Sequence, residues 1–327
     1  MHSLVVAAMV AATVMPATGV PATDREITFQ SDGLTAYGTL HVPAHKRGDR
    51  LAAALLLPGS GPTDRNGNQL PAIEPNTLSL LADALGQDGI MTFRFDKYGS
   101  GPTHTLPPAG ADYSVFLRQA EAAYTTLLKQ PETNPSRMLI VGHSEGGMNA
   151  MLVGISVRPR PAGLALLAPQ DQRILDMIDL QLAEQLDAAL PADQAQAQKD
   201  LIAAWISNYR ADKPVSTAGM LPTIAQLFQT LLAQGDFLRS DDAIYPPDVA
   251  RRVPAGTRVL VTCGTADTNV PCDTTPPLLT ALRGEKLVTL TGIDHFFHPA
   301  GSPVNGQPLA PALLTALHHW SRPWTSH

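Results

Sequence analysis

The sequence predicts an α/β protein: a mostly parallel, eight-stranded sheet with helices on both faces. Two observations carry this prediction and a third qualifies it. Short, continuous apolar runs recur along the chain. Helical stretches separate them, the alternation that builds a parallel sheet with crossover helices. Between about Pro169 and Val253 the strand pattern stops, and it resumes at Arg258 to Val261.

The first element is a hairpin. Glu26 to Ser31 leads into a turn at Asp32-Gly33, and Leu34 to Val42 follows with partial alternation. Leu51 to Leu57 is apolar throughout and ends at Pro58-Gly59, as suits a strand buried on both faces. Ile90–Phe95, Met138–Val141, Leu164–Leu167 and Val259–Val261 have the same character, and Leu287–Leu290 completes the set. Asn76 is placed to cap a helix over Thr77–Gly86, and Asp112–Lys129 carries apolar residues at helical spacing. The strandless stretch reads as three or four helices, around Gln172–Leu190, Ala192–Tyr209 and Leu221–Gln234, with breaks at Pro191, Pro214 and Pro222. The expected organisation is a signal peptide at 1–22, a core formed by 23–168 and 254–327, and a helical cap inserted at 169–253.

Composition narrows the function. Of 327 residues 44% are hydrophobic, enough for a sizeable core, and the net charge of −6 comes with no basic stripe. A nucleic-acid partner is therefore not expected. Leu4 to Met15 is an apolar run followed by small residues, the pattern of a secretory signal, although only His2 stands where basic residues are usual. The run is too short to span a bilayer and no cysteine follows it, so neither a spanning nor a lipid anchor is expected. The expected location is periplasmic or secreted. In an exported chain the two cysteines, Cys263 and Cys272, suggest a disulfide.

The chemistry centres on Gly142-His143-Ser144-Glu145-Gly146, a G-x-S-x-G segment between the apolar run Met138–Val141 and the helix-compatible run Met148–Val157. A sharp strand-to-helix turn would force Ser144 into a strained backbone, and Gly142 and Gly146 would let neighbouring backbones approach. The turn also sets Ser144 at a helix N-terminus, where partial positive charge favours a developing anion. A serine hydroxyl needs a base. His295 is the first candidate, in the loop after the last strand, and His298 the second. The pair forms H-x-x-H, but no nearby third ligand set stands out for a metal. The base needs a carboxylate to orient it. Asp267 fits, in the loop after Arg258–Val261, with Asp273 and Asp294 as alternatives. An oxyanion hole needs two converging N–H groups: Glu145, following the nucleophile, supplies one, and Ser60, in the loop Pro58-Gly-Ser-Gly-Pro62, the other.

Four segments together resemble the α/β-hydrolase family: PGSGPTDRNGN from Pro58, FRFDKYGSG from Phe93, GHSEGG from Gly142, and GTADTNVP from Gly264 with DHFFH from Asp294. They look most like bacterial esterase- or serine-aminopeptidase-like members with a helical cap. The resemblance implies acyl transfer with Ser144, Asp267 and His295 as the triad, in the chain order of that fold. It implies a small-molecule ester substrate and no metal or organic cofactor. This sequence has Pro58 where many relatives carry His before the glycine, a change that leaves the backbone donor at Ser60. An aminopeptidase would need a carboxylate for the substrate amine, and Glu145, Glu74 and Glu184 are candidates. Asp64 to Asn68, Asp96 and Lys97 read as loop-shaping groups that pair locally. A Cys263–Cys272 bridge would close a short loop around Asp267.

Overall fold

A computed structural model describes residues 19–102, 104–283 and 285–325. Residues 1–18 of the expected signal peptide lie outside the described residues. The strands are β1 (Gly19–Val20), β2 (Thr23–Ser31), β3 (Leu34–Val42), β4 (His45–Lys46), β5 (Leu51–Leu57), β6 (Met91–Phe95), β7 (Thr133–His143), β8 (Gly163–Leu167), β9 (Arg258–Gly264) and β10 (Leu287–Leu290). The helices are α1 (Thr77–Gln87), α2 (Ser114–Leu128), α3 (Glu145–Ser156), α4 (Ile174–Ala189), α5 (Ala192–Arg210), α6 (Pro222–Ala233), α7 (Asp236–Asp242), α8 (Pro246–Ala250), α9 (Pro276–Ala281) and α10 (Pro311–Ser321). Strands β1 and β4 form a small antiparallel pair. The other eight make one sheet in the order β10-β9-β8-β7-β5-β6-β3-β2. It is parallel from β10 to β6, while β3 pairs antiparallel with both β6 and β2.

The unbroken apolar runs follow from burial on both faces. Side chains alternate across a strand, and β5 divides accordingly. Leu51, Ala53, Leu55 and Leu57 face one hydrophobic cluster, and Ala52, Ala54 and Leu56 face the other. Met138 and Ile140 of β7 take the first face, and Leu139 and Val141 the second. Helices α2, α3, α8 and α9 cover the first face, through residues such as Tyr124, Met151, Val249 and Leu278. Helices α1 and α10 cover the second, through Leu81, Leu85, Leu313 and Trp320. Each fully buried leucine contributes about 1.5–3 kcal/mol by transfer from water, and β5 alone buries Leu51, Leu55, Leu56 and Leu57.

Helices α4 to α7 carry a third hydrophobic cluster of their own, built on Leu175, Ile202, Trp205, Phe228 and Leu238. The Trp205 ring stacks on Tyr209 and meets Phe228 edge-on. Helix α8 behaves differently: Val249, Ala250 and the following Val253 join the cluster under the sheet.

Two local readings are corrected. Asn76 precedes α1, but its side chain makes no capping bond, and its backbone is left-handed at φ 56°. Its Oδ1 instead accepts a hydrogen bond from Asn68 Nδ2 at 3.0 Å, and Asn76 N donates to Asn68 Oδ1 at 2.8 Å. The Asn66 carbonyl serves the helix start, accepting from Leu78 N at 2.9 Å. Strand β7 begins five residues earlier than its apolar run, at Thr133. Asn134, Pro135 and Ser136 disguise that start, and the pairing with β5 is irregular there, between Leu51 and Ala53.

Candidate active site

Ser144 is the single residue between the end of β7 and the start of α3. Its backbone sits at φ 58°, ψ −125°, a conformation that costs about 1–3 kcal/mol and persists only where the surroundings over-determine it. They do so here. Ser144 N donates to the Leu167 carbonyl at 3.0 Å, and the Ser144 carbonyl accepts from Gly147 N at 2.8 Å and Gln170 N at 3.0 Å. The flanking glycines have no room for a side chain. A Cβ on Gly142 would lie 1.9 Å from the Gly146 carbonyl oxygen, and one on Gly146 would lie 2.3 Å from that of Leu57.

Asp267 follows β9 in a tight turn. Its Oδ1 accepts from Asn269 N and Val270 N, each at 2.8 Å. Its Oδ2 faces His295 Nδ1 at 2.8 Å, and both side chains are buried. The two loops are joined: Thr265 N donates to Leu290 O and Ala266 N to Ile293 O, both at 3.0 Å. A Cβ on Gly264 would meet the Ile293 carbonyl at 2.2 Å, so the glycine permits this approach. A disulfide joins Cys263 to Cys272 across a Cα–Cα distance of 5.4 Å and closes the turn that carries Asp267. The alternative residues are placed otherwise. Asp294 Oδ1 accepts from Phe296 N and His298 N within its own loop. His298 is fully buried, and burial holds its imidazole below the ordinary histidine range. Among the described residues neither Asp273 nor Asp294 bonds a histidine ring.

His143, to which the sequence assigned no role, supports this arrangement. Its Nε2 donates to the His295 carbonyl at 2.8 Å. Burial, and then the neighbouring His295 ring, pushes it down to about 3. The ring therefore stays neutral, and a carbonyl acceptor requires the proton on Nε2. His143 and His295 ring centroids stand 4.8 Å apart.

On the opposite side of Ser144 runs the loop after β5. A Cβ on Gly59 would touch the Ser144 Cβ at 3.4 Å, so this backbone lies directly against the serine. The Ser60 carbonyl accepts from Thr63 Oγ1 at 2.8 Å and Gln69 Nε2 at 2.7 Å. The Ser60 N–H meets no protein acceptor among the described residues. Glu145 opens α3, where the N–H has no intrahelical partner. The local pairing expected of Asp64 to Asn68 is present. Arg65 grips Asp96 through Nε at 3.1 Å and Nη2 at 2.7 Å, and also bonds Glu26 and Thr39.

Beside the strained turn at Ser144 lies a polar cluster whose members are scattered along the sequence. Lys97 Nζ donates to Glu145 Oε1 at 2.6 Å and to the Gly59 carbonyl at 3.2 Å, and stands 4.3 Å from the Phe116 ring centre. The Tyr113 hydroxyl lies 3.0 Å from Glu145 Oε1 and 2.8 Å from Asn149 Oδ1. Asp241 of α7 is buried nearby. Burial, and then the Glu145 carboxylate, pushes it well above the carboxylate range, with Lys97 opposing. The only signal in the sequence was the adjacency of Lys97 to Asp96 at a strand end, which cannot reveal a partner 48 residues away.

Ser144 and His295 open on a common cavity of about 240 Å³, with Ser60, Gln69, Gln181 and Phe296 among its walls. Gln181 comes from α4 and donates to the Asn269 carbonyl at 2.9 Å, tying that helix to the Asp267 turn. Among the described residues of the lining there is no Asp, Glu, Lys or Arg. Glu145, once a candidate to bind an amine, faces Lys97 instead. Among the described residues no group of three or more His, Cys, Asp or Glu could hold a metal ion.

The sheet order, the antiparallel β3, the strained turn from β7 into α3 and the crossover helices on both faces define the α/β-hydrolase fold. The family profile of serine aminopeptidase, S33, matches residues 76–300, and the chain belongs to that family of hydrolases. Solved structures share the fold. The α/β hydrolase GrgF from Penicillium sp. sh18 is 17% identical, with a TM-score of 0.57 over 94% of this chain and 100% of its own. Est1E from Butyrivibrio proteoclasticus, solved with ferulic acid bound, is 17% identical, with a TM-score of 0.57 over 91% of this chain and 98% of its own. The Pyrococcus furiosus esterase Pf2001 is 12% identical, with a TM-score of 0.58 over 93% of this chain and 92% of its own. No curated protein matches the chain. No helix among the described residues is long and apolar enough to cross a membrane.

Proposed function

We propose that the chain is a serine hydrolase that cleaves carboxylic esters of small or medium acyl groups through an acyl-enzyme. The observation that carries this reading is the Asp267–His295 hydrogen bond at 2.8 Å beside a strained Ser144 on the same cavity. Asp267 Oδ2 accepts a hydrogen bond from the His295 Nδ1–H, which holds the ring proton on Nδ1 and leaves Nε2 as the free base. His295 Nε2 accepts the Ser144 proton as Oγ attacks the ester carbonyl. The oxyanion draws on the N–H groups of Ser60 and Glu145. Collapse expels the alcohol, which takes its proton from His295. Water then repeats the sequence, releasing the acid and restoring Ser144. The chemistry uses side chains and backbone alone, with no cofactor.

The family description favours a second reading, an aminopeptidase. Against it stands the absence of a carboxylate among the described residues lining the cavity, since a substrate ammonium needs a counter-charge. The modest cavity suits short acyl groups. A panel of p-nitrophenyl esters of rising chain length, run beside aminoacyl-anilides, tests the choice. Short to medium esters should turn over faster than anilides. A preference for anilides would overturn the esterase reading. We further propose that helices between Pro169 and Val253 form the cap that selects the acyl group. We also propose that the protein is exported, a reading supported by its disulfide.

A further inference from the structure

We propose that Lys97 is a positioning residue that aims both oxyanion donors, an inference that rests on the serine-hydrolase reading above. Lys97 Nζ makes two hydrogen bonds, one to each wall of the oxyanion site. One goes to the Gly59 carbonyl at 3.2 Å and the other to Glu145 Oε1 at 2.6 Å. The Gly59 carbonyl and the Ser60 N–H belong to a single peptide unit, which is planar and not among the cis bonds of the chain. In a trans peptide those two groups point in opposite directions. An ammonium that draws the Gly59 oxygen inward therefore turns the Ser60 N–H outward, on the side where Ser60 borders the cavity.

The second bond acts on the other donor. Glu145 is the first residue of α3, and its side chain is held by Lys97, by Tyr113 and, at 3.4 Å, by Asn149 Nδ2. Fixing that side chain fixes the first turn of the helix, and with it the Glu145 N–H. One buried cation thus sets the relative position of two backbone groups that lie 85 residues apart in the chain. The Gly59–Ser60 unit has glycine freedom and could otherwise rotate. Burial makes the tie strong, since Lys97 and Glu145 side chains are 4% and 6% exposed. Oxyanion donors act through pre-set geometry, and removal of one costs about 10²–10³ in kcat. Loosening their aim should cost part of that.

The test uses Lys97→Met and the double variant Lys97→Met/Glu145→Gln, which avoids leaving a buried carboxylate unpaired. Substrates are short p-nitrophenyl esters. In both variants kcat should fall by about 10- to 100-fold with KM within about threefold, because the donors grip the tetrahedral intermediate rather than the bound ester. The infrared carbonyl stretch of the acyl-enzyme should move to higher frequency, reporting weaker hydrogen bonds. A residue that merely supports folding would leave that frequency unchanged. A folded variant with kcat within twofold of wild type, with KM raised alone, or with an unshifted carbonyl band would overturn the proposal. Wild-type enzyme runs alongside. If it acylates at Ser144 while the variants behave normally, the positioning role alone falls. If it never acylates there, the serine reading falls as well.

Discussion

Replacing Asp267 by Asn tests the geometry of the acid more sharply than deleting it. Asp267 Oδ1 accepts two backbone N–H groups, from Asn269 and Val270, each at 2.8 Å. In an asparagine only the carbonyl oxygen can accept them, so the amide has one satisfactory orientation: oxygen toward the turn and NH₂ toward His295. The opposite flip would set two N–H donors against an NH₂ group, at about 1–3 kcal/mol for each unsatisfied donor. With NH₂ facing it, His295 Nδ1 must become an acceptor and the ring proton must move to Nε2. A histidine protonated at Nε2 cannot take the Ser144 proton. Loss of the correct tautomer in a triad lowers kcat by about 10⁴, equivalent to about 5.4 kcal/mol of barrier. Because the turn keeps its two bonds, thermal stability should stay within about 1 kcal/mol of wild type. Steady-state hydrolysis of p-nitrophenyl acetate, with a melting curve on the same sample, reads both quantities. A folded Asp267→Asn enzyme retaining more than a tenth of wild-type kcat would refute the assigned role of Asp267.

Three further outcomes are expected. Gly146→Ala forces a Cβ to within 2.3 Å of the Leu57 carbonyl; overpacking against backbone should cost about 2 kcal/mol or more and most of the activity, and an unchanged melting temperature would contradict the close approach. Removing the Cys263–Cys272 bridge by Cys→Ala at both positions releases a nine-residue separation; loop entropy gives about 2.7 kcal/mol, roughly 4 °C in melting temperature for a domain of this size, and kcat should fall with it because the bridged turn carries Asp267. Asp171, whose Oδ2 accepts from Thr274 Oγ1, is pushed up to about 6 by burial. A raised carboxyl pKa favours the neutral form, so its contribution is complete below about 3.8 and is lost as pH rises through 6. Asp171→Asn should therefore gain stability over wild type between pH 4 and pH 8, by up to about 3 kcal/mol, and a pH-independent difference would show that Asp171 does not carry this burden.

The sheet was legible in the sequence because burial on both faces leaves a plain trace. Leu51 to Leu57 is apolar throughout since neither side of β5 meets water, and β8 follows the same rule. The strand-to-helix turn at Ser144 was legible because Gly142 and Gly146 are demanded by backbone contacts local to it. The pairing of Asp267 with His295 could be ranked first but not fixed, since Asp273, Asp294 and His298 stand in the same loops. The selection depends on loop closure: β9 and β10 run parallel and adjacent, so their C-terminal loops meet, and the Asp294 oxygen is consumed by its own turn. Lys97 and His143 were illegible as supports for a different reason. His143 bonds the His295 carbonyl and Lys97 the Gly59 carbonyl, acceptors that leave no mark in the sequence, and the other partner of Lys97, Glu145, stands 48 residues away. The start of β7 was hidden because Pro135 and Ser136 are exposed and Asn134 and Arg137 only half-buried, so polar residues are tolerated there.

The central claim is that Ser144 is an activated nucleophile. A fluorophosphonate probe forms a stable bond to such a serine and to few others, and peptide mass spectrometry locates the adduct. One equivalent of label is expected, on the peptide containing Ser144, absent in Ser144→Ala and strongly slowed in Asp267→Asn. A folded wild-type protein that takes up no label, or takes it up on another residue, would contradict it.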